Sequence, residues 1–205
     1  IETLGMSELQ LDAPTRDRYM RIITEETHRL ERIIGDLLDL PRLHGGGTSF
    51  PRERDDVNAI FTRVAARHER ELRERGVRLA HHVDPAAEYV IGDSDRLEQA
   101  LQNLAANSLR HTPEGGEIRL SSSVVPDGSM LTVRDTGPGI PDEHLPLIFE
   151  RFYKVDAARK AAGGSGLGLS IVKAIVERHG GRISARNDNG AVFEIVLPST
   201  SVPMS

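Results

Sequence analysis

The chain has 205 residues, of which 38% are hydrophobic and 28% charged, a composition typical of a globular protein. This length has room for one domain and a smaller attachment, or for two small domains. The absence of cysteine excludes disulfides and thiolate metal sites, and the net charge of -5 without a dominant basic patch argues against nucleic acid as a partner. No apolar run approaches the roughly 18 residues needed to span a bilayer.

The N-terminal part of the sequence predicts a helix that packs on a second chain. Because the chain opens at Ile1 on an apolar, helix-like stretch without a start signal, we expect further sequence upstream, including any membrane segment. Asp12 and Pro14 predict a helix start, and one helix cannot bury the apolar stripe that follows. The alternative, a helix packed on its own domain, is disfavoured because the glycines at 45–47 form a flexible linker after the helix. The stripe comprises Tyr19, Ile23, Leu30, Ile33, Leu37 and Leu40.

From Phe50 onwards, helical and strand patterns alternate. They predict an α+β fold, a two-layer sandwich with helices on one face of a mixed, largely antiparallel sheet. Helices are predicted from Val57 to Gly76, from Asp95 onwards, and from Leu167 to His179. The predicted strands are VRLAHHV, EYVIGD, IRLSSSVV, MLTVRD, RISARN and AVFEIVLP, the last four as two hairpins.

The helix from Asp95 carries a polar face. At 100° per residue, Asn103, Asn107 and Arg110 lie within about 60° of one another, with His111 at the border. Amide oxygens can ligate a hard divalent cation, and a guanidinium can bind phosphate, although an ordinary solvated face has the same pattern. The opposite side, predicted to face the sheet, comprises Leu97, Leu101, Leu104 and Ala105.

Two glycine-rich stretches are further candidates. In VRDTGPGIP, a strand ends at Asp135, whose carboxylate can accept a hydrogen bond from an amino group such as the exocyclic amine of adenine. In GGSGLGLS, the glycines lead into a helix whose N-terminal N–H groups attract phosphate, without the lysine of a P-loop or the dinucleotide spacing. Taken alone, the first is also typical of a tight turn and the second of a glycine-rich cap.

The segment between them, FERFYKVDAARKAAGG, has the composition of a mobile lid. Phe149, Phe152 and Tyr153 are predicted to anchor it. The cations available to a polyphosphate are Lys154, Arg159 and Lys160. A surface loop beside a small apolar cluster is the alternative.

In this order and spacing the motifs resemble those of the bacterial sensor histidine kinases, within the superfamily that includes gyrase, the ninety-kilodalton heat-shock chaperone and MutL. NLAANSLRHTPEGG resembles their Asn box, DTGPGI and GGSGLGLSIVKAIVERHGG their glycine boxes, and FERFY their Phe box. The resemblance implies a Bergerat-type ATP-binding fold. It divides the chain into a partial dimerisation and phosphotransfer domain (1–44), a linker (45–49), the catalytic domain (50–198) and a tail (199–205).

The resemblance also implies site residues. Asn107 would be the main Mg²⁺ ligand with Asn103 beside it, and Arg110 would contact phosphate. His111 would pack on adenine and Asp135 would bind its amine. The further ATP-site positions are Gly137, Gly139, Ile140, Lys154, Arg159, Gly164, Ser165, Gly166, Leu167, Gly168 and Leu169, with glycines 164, 166 and 168 as the lid hinge.

The implied activity is phosphoryl transfer from Mg-ATP to a histidine. Hydrolysing superfamily members carry a glutamate where this chain has Asn103, and an amide is no general base at neutral pH. None of the eight histidines has the context of the family's phosphoacceptor, so we expect the acceptor upstream of Ile1. The alternatives are a non-catalytic ATP-binding scaffold and a phosphatase-dominant regulator.

The implied partners are a second copy of the chain, bound through the N-terminal helices, and the receiver domain of a response regulator. The implied location is the cytoplasmic portion of a membrane-anchored bacterial sensor, with the membrane reached only through segments outside these residues.

Overall fold

The computed structural model describes residues 12–24, 27, 53–155 and 165–199. The predicted linker at 45–49 lies outside these ranges, as does all but the first residue of the predicted tail at 199–205. The predicted domain boundaries therefore stay predictions.

The first described element is a helix over residues 13–24, α1, which begins where the sequence predicts. The Asp12 carboxylate accepts a hydrogen bond from the Thr15 backbone N–H at 3.1 Å, which caps the first turn. Several large hydrophobic side chains on α1 are exposed, as expected of a face that packs on another chain. That packing stays a prediction. The exposed side chains are Tyr19, Met20, Ile22 and Ile23.

The remaining elements alternate between strands and helices. Within the described ranges, no helix combines the length and the apolar character needed to cross a membrane. In chain order the elements are β1 (Glu53–Asp56), α2 (Val57–Glu74), β2 (Arg78–Val83), a 3-10 turn (Pro85–Ala87), β3 (Tyr89–Gly92), α3 (Ser94–His111), β4 (Glu117–Val125), β5 (Gly128–Asp135), α4 (Gly168–Arg178), β6 (Arg182–Asn187) and β7 (Ala191–Pro198).

Five strands form one mixed sheet in the order β2-β4-β5-β7-β6. The β2–β4 pair is parallel, and the other three neighbouring pairs are antiparallel. Leu120, Val133 and Phe193 point to one face and are buried in a single core with the apolar residues of α2, α3 and α4. On the other face Arg119 is exposed and Thr132 is half-buried. The predicted two-layer α+β architecture is confirmed.

A second, two-stranded sheet was not predicted. β1 pairs with β3 in antiparallel register, with Glu53 opposite Gly92 and Asp56 opposite Tyr89. The sequence EYVIGD was correctly predicted to be a strand, but its partner ERDD is wholly charged and has no apolar alternation. Because β1 is mostly exposed, its pairing with β3 leaves no periodic signal in its own sequence.

His68 lies at the contact between α2 and α3 and is half-buried. One ring nitrogen donates to the backbone carbonyl of Gln102. The other, Nε2, is buried and has no hydrogen-bond partner among the described residues. Burial disfavours the charged ring and lowers the pKa of His68 below its ordinary value of 6.5.

This contact predicts a pH-dependent stability. The unfolded chain takes up more protons than the folded chain at acidic pH, so stability is lost as the pH falls from about 6.5 towards the lower folded-state pKa. His68→Gln should remove this part of the pH dependence, measured as melting midpoints between about pH 7.5 and about pH 5.5. His82→Gln, a matched change at an exposed position on β2, is the control. If the melting midpoints of His68→Gln and of wild type fell equally with pH, His68 would not be the source of this pH dependence.

Candidate functional site

The two faces of α3 are those that its sequence predicts. Leu97, Leu101, Leu104 and Ala105 are at most 1% exposed and belong to the core. Asn103, Asn107 and Arg110 are half-buried along the other side, and His111 ends the helix exposed. The predicted polar face is therefore present on a helix that the core holds in place.

Asn103 lies against the N-terminus of α4. A Cβ atom placed on Gly168 would be 3.9 Å from the Asn103 Cγ atom, which is ordinary van der Waals contact. The Asn103 Nδ2 atom is buried and makes no hydrogen bond with any described residue. A buried amide without a partner is costly in a folded protein, so its presence calls for an explanation such as a catalytic role or a bound ion.

The carboxylate of Asp135 is fixed at the end of β5. The residue is 2% exposed, and its Oδ1 atom accepts hydrogen bonds from the backbone N–H groups of Gly137 at 2.9 Å and Ala191 at 3.1 Å. Two backbone amides that donate to the same carboxylate oxygen hold the side chain in one orientation. The predicted strand end at Asp135 is confirmed. Its carboxylate is oriented by one donor from the loop that follows β5 and by another from the start of β7.

The loop after Asp135 packs on the end of α3. A Cβ atom on Gly137 would lie 3.0 Å from the backbone oxygen of His111, a tighter contact than most Cβ atoms make, so glycine favours this close approach. The DTGPGI turn and the end of the α3 polar face are thus neighbours in space, as a shared ligand site requires.

The N-terminus of α4 is the third part of the site. Its N-cap residue, Leu167, is buried and provides no side-chain cap. The Leu167 N–H itself donates to the Ser165 hydroxyl at 3.2 Å. First-turn amides of a helix point outward with a positive partial charge and attract anionic groups. The Asn103–Gly168 contact therefore brings a polar amide and a helix N-terminus together.

Comparison with known proteins identifies this arrangement. Residues 92–201, which include α3, the Asp135 loop and α4, match the model of the family described as histidine kinase-, DNA gyrase B-, and HSP90-like ATPase. The chain belongs to this ATPase family.

Similarity to individual proteins narrows the family to sensor histidine kinases. The chain is 35% identical over 182 residues to the sensor protein SrrB of Staphylococcus aureus, across 87% of the chain and 31% of SrrB. The chain thus spans about a third of the length of the curated relatives it matches. The resemblance inferred from the motifs is confirmed.

Solved structures of histidine kinases are similar to this chain in fold. The nucleotide-free catalytic domain of ThkA has a TM-score of 0.64 and 30% identity, covering 72% of this chain and 95% of that domain. Full-length ShkA in complex with AMPPNP has a TM-score of 0.76 and 28% identity, and the match covers 94% of this chain and 41% of ShkA. ThkA in complex with the response regulator TrrA has the same TM-score and identity, and the match covers 97% of this chain and 56% of ThkA.

In this ATPase-family chain, the segment around the Phe box differs from the sequence-based expectation. Phe149 is partly buried against the core, but the Phe152 side chain is 63% exposed and does not anchor the segment. The Phe152 backbone makes the contact instead, since its N–H donates to the Gly166 carbonyl at 2.9 Å. The phenolic oxygen of Tyr153 lies 2.6 Å from the His144 Nδ1 atom.

Gly166 allows this backbone contact. Phe152 and Gly166 both have positive φ, 62° and 74°, and a Cβ atom on Gly166 would lie 2.8 Å from the Phe152 carbonyl carbon. The two ends of the predicted lid are therefore joined next to α4. Lys154 is exposed just beyond this junction, while Arg159 and Gly164 lie outside the described residues.

Two structural contributors to the site were not predicted. Arg75 donates from its guanidinium to the backbone oxygens of Leu109, Arg110 and Thr112, and so fixes the end of α3 that carries Arg110. The β6–β7 hairpin supplies the Ala191 N–H to Asp135. Neither residue belongs to a recognisable motif. The hairpin itself was predicted from its two strands and the turn at 188–190, but its contact with Asp135 was not.

Proposed function

We propose that this chain is the Mg-ATP-binding catalytic core of a protein-histidine kinase in a two-component signalling system. The observation that carries the proposal is the buried carboxylate of Asp135, held by two backbone amides beside the polar face of α3. A fixed, charged acceptor at a strand end is suited to the exocyclic amine of adenine. Family membership supports nucleotide binding at this position.

The residues present fit a magnesium nucleotide. No group of three or more histidine, aspartate and glutamate side chains within the described ranges could hold a metal ion. Mg²⁺ commonly keeps several waters and binds through few protein ligands together with substrate phosphates, which suits two amide side chains. Asn107 is the proposed main ligand. Asn103 lies beside it, and rotation of its unpartnered amide presents oxygen in place of nitrogen.

The remaining residues hold the nucleotide. Arg110, Lys154 and Arg159 contact phosphates, and His111 packs on adenine. Mg²⁺, when bound, supplies positive charge opposite the charge that spreads over the transferring phosphoryl group. The backbone and side chains that shape the site are those of Gly137, Gly139, Ile140, Gly164, Ser165, Gly166, Leu167, Gly168 and Leu169.

The proposed reaction is in-line transfer of the γ-phosphoryl group to a neutral histidine. A ring nitrogen donates its lone pair to form an N–P bond as the bond between the γ-phosphorus and the bridging oxygen breaks. That oxygen leaves with the electron pair on ADP, and the phosphorylated ring releases its extra proton to solvent. Asn103 cannot act as a base toward water, which favours transfer over hydrolysis.

Different segments of the chain have different proposed roles. We assign ATP binding to residues 50–198, dimerisation to 1–44 and movement between the two to the linker 45–49. The acceptor is a histidine outside these 205 residues, in a sensor whose catalytic core faces the cytoplasm. The complex of ThkA with TrrA supports a response-regulator receiver domain as the next partner.

The proposal is tested by incubating the chain with γ-labelled Mg-ATP. The chain alone should bind Mg-ATP and acquire no acid-labile phosphate, because its histidines lack the acceptor context. Acid-labile phosphate on the chain alone would refute the placement of the acceptor. Binding of Mg-ATP without transfer to any supplied acceptor hairpin would favour the scaffold alternative.

A further inference from the structure

The last residue of β6, Asn187, is hydrogen-bonded in both directions to the loop after Asp135. Its Oδ1 atom accepts from the Ile140 backbone N–H at 2.8 Å, and its Nδ2 atom donates to the Ile140 carbonyl at 2.6 Å. The same Nδ2 atom lies 3.4 Å from a carboxylate oxygen of Asp142. One side-chain amide thus replaces the two backbone bonds that a neighbouring strand would make with Ile140.

Gly139 makes this approach possible. Its φ is +77°, and a Cβ atom there would lie 2.7 Å from the Asn187 Oδ1 atom. Any side chain would therefore push the amide away from the loop. The glycine that the sequence assigns to the ligand site has a second role, which is to admit Asn187.

The loop is held at both ends. At its start, the Gly137 N–H donates to Asp135, and the Gly137 Cα approaches the end of α3. At its end, Ile140 is bonded to Asn187 and partly buried against the core. The hairpin that carries Asn187 also supplies the Ala191 N–H to Asp135, so one hairpin sets both the carboxylate and the loop.

We propose that Asn187 is a positioning residue for nucleotide affinity: it sets the place of Gly139 and Ile140 without contacting the nucleotide. The inference rests on the proposed function of the same site. With the amide removed, the loop samples more conformations, and binding must order it. The transferring phosphoryl group is handled by other residues, so affinity should fall while the rate at saturating nucleotide is kept.

Asn187→Asp and Asn189→Asp form a matched pair. Both add one negative charge to the same hairpin, but the Asn189 side chain bonds to Asp188 of the hairpin itself, at 3.4 Å. The Asn187→Asp change removes the donor to Ile140 and sets a carboxylate against its carbonyl oxygen and against Asp142. Asn187→Ser, which removes the amide without adding charge, is the second variant.

Calorimetric titration with Mg-ADP should show about tenfold weaker binding for both Asn187 variants, equivalent to about one hydrogen bond. Asn189→Asp should bind as wild type does. In a transfer assay, KM for ATP should rise by the same factor with kcat unchanged. Without nucleotide, the amide hydrogen of Ile140, which donates to Asn187, should exchange faster in the Asn187 variants, and the melting midpoint should fall by no more than about 4 °C.

Three results would overturn the inference. These are wild-type affinity in both Asn187 variants, an equal loss in Asn189→Asp, or exchange that is accelerated equally throughout the domain with a melting midpoint lowered by more than about 4 °C. If wild type itself does not bind Mg-ADP, the proposed function fails together with the affinity role. The exchange measurement then still shows whether Asn187 holds the loop.

Discussion

Asn107→Ala is expected to abolish Mg-dependent nucleotide binding and phosphotransfer. Asn107 is half-buried at the middle of the polar face of α3, one turn after Asn103 and one turn before the arginine proposed to contact phosphate. Loss of a metal ligand removes charge stabilisation worth several kcal/mol, so transfer should fall by roughly a hundredfold or more. Alanine is the better helix former, so the fold should be retained.

Gln102→Ala is the matched control for this variant. Gln102 is also a half-buried amide on α3, but it bonds to Glu98 at 2.8 Å and lies off the polar face. Calorimetry with ATP in the presence of Mg²⁺ or of a chelator separates metal-dependent from metal-independent binding. Wild-type turnover in Asn107→Ala, or an equal loss in Gln102→Ala, would contradict the metal assignment.

Asp135→Asn is expected to weaken ATP binding far more than it changes stability. The amide oxygen can keep both hydrogen bonds from Gly137 and Ala191, so the melting midpoint should change little. The variant loses the charged acceptor proposed for the adenine amine. A hydrogen bond to a charged group contributes about 1.5–3 kcal/mol, so affinity should fall by roughly ten- to a hundredfold.

The base preference gives a second measurement on this variant. Guanine carries an oxygen where adenine carries its amine, and the side-chain amide introduced by Asp135→Asn can donate as well as accept. The ratio of ATP to GTP affinity should therefore fall in Asp135→Asn. Asp127→Asn, at the far end of the β4–β5 hairpin and paired with Arg182 at 2.9 Å, removes the same charge and should leave the ratio unchanged. An unchanged ratio in Asp135→Asn would contradict the adenine assignment.

Local patterns in the sequence were sufficient to predict much of this site. The period of a helix puts Asn103, Asn107 and Arg110 on one face of α3 whatever the tertiary structure. The apolar residues opposite them show which side is buried. The end of a strand at Asp135 follows from alternation that stops at glycine. These features depend on residues a few positions apart, so periodicity alone predicts them.

Contacts between distant segments could not be predicted in this way. Ala191 and Asp135 are 56 residues apart, and Asn187 and Ile140 are 47 apart. They meet because β7 pairs with β5 in one register, and this register is specified by the burial of one face of the sheet in the core. Phe152 illustrates the same limit, since its exposed ring and the contact of its backbone with Gly166 leave no local signal in the sequence.

The most direct test follows the γ-phosphate of labelled Mg-ATP when the chain is mixed with a dimerisation hairpin that carries an acceptor histidine. The account predicts label on the hairpin as acid-labile, base-stable phosphate, with little inorganic phosphate released, because Asn103 provides no base for water. Release of inorganic phosphate without labelling of the hairpin would contradict it and would show a hydrolase.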